Sequence, residues 1–94
     1  MSDRTSFLSI GFGSYCSADR IVTVLSPDSA PIKRVIADGR EKGLLVDASF
    51  GRSTRSVLLM NSGHIILSAL KPDEIMKQIN TEHGGGAVSS AEEN

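Results

Sequence analysis

The chain has 94 residues, 39% of them hydrophobic, with ten Lys and Arg, eleven Asp and Glu, and a single cysteine. A chain this short makes one small domain that buries a modest share of its surface, and oligomerisation is a common source of the missing stability. One cysteine excludes an intramolecular disulfide and a cysteine-rich zinc site; no stretch approaches the roughly 20 apolar residues that span a bilayer.

The N-terminus, "MSDRTSF", has no apolar signal core, so the expected compartment is the cytoplasm. "SFLSIGFG" then reads as a short strand ending in glycines, and "RIVTVLS" as a second strand rich in β-branched residues. Strict alternation along the second puts Val22 and Val24 on one side and Ile21, Thr23 and Leu25 on the other. "SPDSAPIKRVIADGREKG" has the marks of a helix over about residues 29–42. Ser26 or Ser29 can cap it, Pro27 or Pro31 suits its first turn, and Asp28 complements its dipole. Ile32, Val35, Ile36 and Gly39 share one face, and Gly43 is the expected residue just past the end.

"LLVDAS" is a short strand. "SVLLMNSGHIILSAL" is a hairpin turning at Asn61-Ser62-Gly63, where Gly63 supplies a positive φ. Its arms are apolar on both faces: Val57 and Leu59 point one way, Leu58 and Met60 the other, and Ile65, Ile66 and Leu67 repeat the pattern. A sheet with one wet face should alternate with polar residues. One helix does not cover both sides, so the second face is expected to be buried against another subunit. "KPDEIMKQI" starts a short helix over about 72–79, with Ile75, Met76 and Ile79 as its apolar stripe. The order β-β-α-β-β-β-α describes an α+β domain with a mostly antiparallel sheet. Residues 1–79 form this domain, and 80–94, "NTEHGGGAVSSAEEN", read as a flexible acidic tail. Without that tail, ten Lys and Arg face eight Asp and Glu, a mildly basic balance.

Most candidate chemistry has a plain structural reading. "GFG" at 11–13 lacks the third glycine and the helix of a dinucleotide fingerprint, and reads as a tight turn. Ser53, His64 and Asp47 are the residue types of a hydrolase triad, but no serine sits at a strand-to-helix elbow. His64 and the tail's His83 make a poor metal site, and Cys16 is a buried small hydrophobe by default. Lys33 and Arg34 suit the solvated face of the helix, with electrostatic help to an anionic partner as their functional reading. "GRSTR" at 51–55 stands apart. Arg52 and Arg55 are planar, permanently charged forks suited to phosphate, and Ser53, Thr54 and Ser56 are hydroxyls of the kind that supplement phosphate contacts. From residue types alone this is either an exposed basic turn or an anion-binding loop, with nucleic acid the leading ligand. No enzyme site, cofactor, metal or small-molecule substrate is expected.

The stretches "SPDSAPIKR", "VDASFGRSTR" and "HIILSALKPDEI" carry a closer likeness. With the residues around them, from about 7 to 79, they resemble the RemA-type family of bacterial regulators. The resemblance implies a DNA-binding regulator of transcription, with biofilm-matrix genes and osmoprotectant uptake among its targets. It also implies ring-shaped homo-oligomers, an octamer being the candidate size, with duplex DNA held along a basic surface that many subunits share. By position, Arg20 and Arg52 match family arginines tied to DNA binding, and Arg55 matches a further arginine of the loop. Ser53 stands where a second DNA-linked arginine is common, so each subunit carries one positive charge fewer. The chain has no recognition helix of the helix-turn-helix kind, so contacts to the DNA backbone and to its shape are expected to dominate. Two other readings remain: an RNA-binding or ribosome-associated protein, which three Phe, one Tyr and no Trp serve poorly, and a non-enzymatic protein-interaction module.

Overall fold

A computed structural model describes residues 6–82, with side chains through 79; the tail expected at 80–94 lies almost wholly outside them. The elements are β1 (Phe7–Gly11), β2 (Ser14–Ser17), a single 3-10 turn (Ala18–Arg20), β3 (Ile21–Leu25), α1 (Ala30–Glu41), β4 (Leu45–Asp47), β5 (Ser56–Met60), β6 (Ile65–Ser68) and α2 (Pro72–Glu82). The fold is α+β. β3, β5, β6 and β4 lie in that order in one sheet, antiparallel except for the β4–β6 pair, and β1 and β2 form a separate antiparallel hairpin.

α1 begins where its sequence says it should. Ser29 is the N-cap, its hydroxyl accepts the Ile32 N–H, and Lys42 caps the far end with Gly43 beyond it in the left-handed region. Ile32, Val35 and Ile36 pack on Val57, Ile65 and Leu67 of the sheet. Gly39 lets the helix lie close: a Cβ there would overlap the Cδ1 of Ile65.

The other face of the sheet is covered by the chain itself, which corrects the expectation of a neighbouring subunit there. Leu58, with Met60 and Ile66 beside it, packs against Leu8, Ile10 and Cys16 of the β1–β2 hairpin and Ile75 of α2. Full burial of one such side chain is worth roughly 1.5–3 kcal/mol. β2 supplies Cys16 to this cover, and the sequence reading had no strand there. α2 is fastened to β1 by the Gln78 side-chain amide, which accepts from the Ser9 N–H at 2.9 Å and donates to the Ser9 carbonyl at 2.8 Å. It also runs to Glu82, beyond the expected end at 79.

β3 departs from strict alternation as well. The register shifts between Ile21 and Thr23, so Ile21 opposes Met60 while Thr23 opposes Leu59. The extra residue is a β-bulge, which turns Ile21 to the same side as Val24, in the cluster with Leu58, and leaves Val22 exposed.

Candidate nucleic-acid interface

The arginine loop spans residues 48–55 between β4 and β5, and backbone bonds tie it down at both ends. The Ala48 N–H donates to the Leu67 carbonyl and the Arg55 N–H to the Ser68 carbonyl, each at 2.8 Å. Two buried hydroxyls anchor the same end of the sheet to its surroundings. Ser68 Oγ donates to the Ile10 carbonyl at 2.7 Å and accepts the Leu70 N–H at 3.0 Å, while Ser56 Oγ donates to the Leu70 carbonyl. The end of β1, the start of β5, the end of β6 and the linker to α2 therefore meet in one polar knot beneath the loop.

Within the loop, Asp47 Oδ1 accepts both the N–H and the hydroxyl of Ser49. Those bonds, the hydroxyl's first, and the Arg40 charge hold the Asp47 carboxyl below its ordinary range. Ser49 then receives the Arg52 N–H on its carbonyl at 3.1 Å, closing a turn over Phe50 and Gly51 with φ values of 55° and 82°. Two positive φ angles in succession are the signature of a type I′ turn, which favours Asn, Asp or Gly first and Gly second. The β1–β2 hairpin turns in the same way: Phe12 and Gly13 have φ of 53° and 79°. A left-handed conformation costs an ordinary residue roughly 1–2 kcal/mol, and both turns spend it on phenylalanine.

The two phenylalanines come together. Their rings meet edge-to-face with centroids 6.2 Å apart, and the Arg52 Cζ lies 4.7 Å from the Phe12 centroid, in cation–π range. Both rings are more than half exposed. Arg52, Ser53 and Arg55 line an open groove with Phe12 and Leu70, and Arg55 also lines the next one, with Thr54, Lys71, Asp28 and Asp73. Among the described residues neither Arg52 nor Arg55 is ion-paired, so both present their donors to solvent.

The structure thus brings Arg52, Ser53 and Arg55 onto one surface. Arg20 is elsewhere. It ends the 3-10 turn just before β3, rather than opening the strand itself as its sequence suggested, opposite the end of β5, and its carbonyl accepts the Asn61 N–H at 2.8 Å. The β5 strand separates it from the loop by about 20 Å at roughly 3.3 Å per residue. His64 lies at that far end too, with its Nδ1 hydrogen-bonded to Ser62 Oγ. Ser53, His64 and Asp47 therefore make no triad. Cys16 is buried, which pushes its thiol up and away from reactivity. Reading by residue type missed Phe12, Phe50 and Lys71. The Phe-Gly dipeptide, present only at 12–13 and 50–51, was the available signal for the first two.

A family model described as "RemA-like: Extracellular matrix regulatory protein A-like" matches residues 7–79. The chain belongs to the RemA-like family. It is 51% identical over 76 residues to a relative from Carboxydothermus hydrogenoformans, covering 81% of this chain and 87% of that one. A relative from Acetivibrio thermocellus is 52% identical over 75 residues, with 80% and 81% covered. One from Alkaliphilus metalliredigens is 46% identical over 86 residues, 92% of each chain. The names of all three carry the words "regulatory protein". The family likeness thus points to a regulatory role, and the matched span holds every residue of the loop surface. Among the described residues no helix is long and apolar enough to cross a membrane, and no three His, Cys, Asp or Glu side chains cluster as metal ligands.

Proposed function

We propose that this RemA-like protein is a DNA-binding regulator of transcription that grips the duplex backbone with Arg52 and Arg55. Ser53 adds a hydroxyl contact within the loop, and Arg20 makes a second contact from the far end of the sheet. The observation that carries the reading is a pair of exposed arginines, neither of them ion-paired among the described residues, on a loop clamped at both ends, next to further hydroxyls and Lys71, with Asp28 and Asp73 on the Arg55 side. A guanidinium with its donors free and its backbone held loses little freedom when it meets a phosphate. One subunit offers few such contacts, so useful affinity comes from repetition: copies of the chain assemble into a ring, an octamer being the candidate size, and present the loop many times along bent DNA. Exposed Val22 and Val46 on β3 and β4, the two edge strands of the sheet, support self-assembly. The family description points to extracellular-matrix genes as targets. The function is non-enzymatic, cytoplasmic, and needs no cofactor or small-molecule substrate.

Salt-titrated binding to duplex DNA, single strands and RNA tests this, with light scattering in parallel. The expected result is preference for the duplex, a steep log–log salt slope of roughly 0.9 per phosphate contacted, and a mass several times that of the monomer. Preference for RNA would favour a ribosome-associated role, and no binding to any of the three a protein-interaction module. A well-folded monomer at micromolar concentration would remove the ring.

A further inference from the structure

We infer that the two Phe-Gly turns are a built platform for Arg52, and that Phe12, braced by Phe50, is a positioning residue of the arginine grip. The inference rests on the nucleic-acid reading above and deepens it. Three observations converge. The rings come from loops far apart in the chain, yet they meet edge-to-face, and the Arg52 guanidinium lies over the Phe12 ring. Each phenylalanine occupies the first central position of a turn with two positive φ angles, where Asn or Gly would sit without strain. Neither ring is spent on the core, since both are more than half exposed.

A turn that only had to reverse the chain would gain nothing from a phenyl group at that position. A turn that has to hold an arginine does gain. The ring takes one flat face of the guanidinium, while the in-plane N–H donors, which bind phosphate, stay free at its edge. The edge-to-face contact with Phe50 fixes the tilt of the Phe12 ring, and with it the direction in which the donors point. Preorganisation of this kind lowers the ordering cost of binding without adding a contact to the DNA.

The test separates the platform from a mere turn residue. Phe12→Asn favours the turn and removes the ring, so thermal stability should hold or rise while affinity for duplex DNA falls. An exposed cation–π contact corresponds to roughly two- to five-fold per arginine, multiplied wherever several subunits touch one duplex. Phe50→Asn should give a smaller loss of the same kind, and Phe12→Tyr, which keeps the ring, should restore binding. At low salt, in an Arg52→Ala background, Phe12→Asn should have no further effect, because the residue it positions is gone. Unchanged affinity of Phe12→Asn overturns the inference. So does an equal loss with and without Arg52, which would mean that the ring itself touches DNA. In the free protein, the Arg52 δ-protons should be shifted upfield by the ring current in wild type and Phe12→Tyr, and not in Phe12→Asn. This readout needs no DNA: if the wild type binds no duplex, the function proposed above falls, and the ring-current shift alone decides the platform. Arg52 δ-protons that resemble those of Arg55 overturn it.

Discussion

Two tight turns flank β5, one directly after it and one within the loop before it, and they use opposite residues. At the far end, Asn61-Ser62-Gly63 reverses the chain with small polar residues. Gly63 has φ of 94°, its N–H donates to the Met60 carbonyl, and the Met60 N–H donates to the His64 carbonyl. Each residue there is one that a turn prefers. At the near end the turn over Phe50 and Gly51 places a bulky residue where glycine is favoured, and a second such turn, at Phe12, is packed against it. Local preference is obeyed at the Asn-Ser-Gly turn and overridden in the loop that carries Arg52 and Arg55. Backbone strain kept at one of two equivalent positions is a pointer to function.

Loss of charge should have the largest effect. Arg52→Ala is expected to abolish most DNA binding, lowering the salt slope by roughly 0.9 for every subunit that touches the duplex. Its stability should stay within about 0.5 kcal/mol of wild type, as for most surface changes. Salt-titrated binding with melting and mass in parallel checks both halves; a collapsed oligomer would make Arg52 an interface residue instead. Arg20→Ala at the far end should weaken binding independently, so that the two losses add.

Removal of a buried hydroxyl comes next. Ser68→Ala strips the Ile10 carbonyl and the Leu70 N–H of their shared partner and should cost about 1–3 kcal/mol. Ser62→Ala at the exposed turn should be near neutral. Urea unfolding of the two variants measures the contrast directly; equal midpoints would mean that the polar knot does not hold the loop end together.

Added charge should sharpen the comparison in the other direction. Ser53→Arg extends the groove already lined by Arg52 and Arg55 and should tighten DNA binding, steepening the slope by roughly 0.9 per contacting subunit. An unchanged slope would show that position 53 does not reach phosphate.

The smallest effect concerns Asp47. Its folded carboxyl lies below its unfolded value, chiefly because the Ser49 hydroxyl donates to it. The contribution to stability is therefore present above the unfolded pKa, near 3.9, and is lost as pH falls through the lower folded value. The carboxylate is exposed, so solvent screening keeps the effect small. Asp47→Asn should flatten the acid limb of the stability–pH curve slightly, with amide exchange of Ser49 and Arg52 as the local readout. An identical acid limb in the variant would show that the Asp47–Ser49 bonds do not restrain the turn.

Residues 29–43 and 56–68 carried enough local signal to define their elements. A capping serine, a 3.6-residue apolar stripe and a terminal glycine specify α1, and two apolar runs around Asn-Ser-Gly specify the β5–β6 hairpin, because helix ends and tight turns are decided by neighbours in sequence. That Arg52 and Arg55 share one exposed loop was legible for the same reason. β2 was not. "SYCS" has no alternating apolar run and is a strand because it pairs with β1 and buries Cys16 over the sheet. The bulge at Val22 was hidden because a single extra residue changes the facing of a strand without changing its composition. Coverage of the sheet's second face, the separation of Arg20 from the loop by the length of β5, and the meeting of Phe12 with Phe50 were decided only by the tertiary structure. Each depends on long-range pairing between segments distant in the chain, and sequence periodicity records which face a residue prefers, not which segment arrives to cover it.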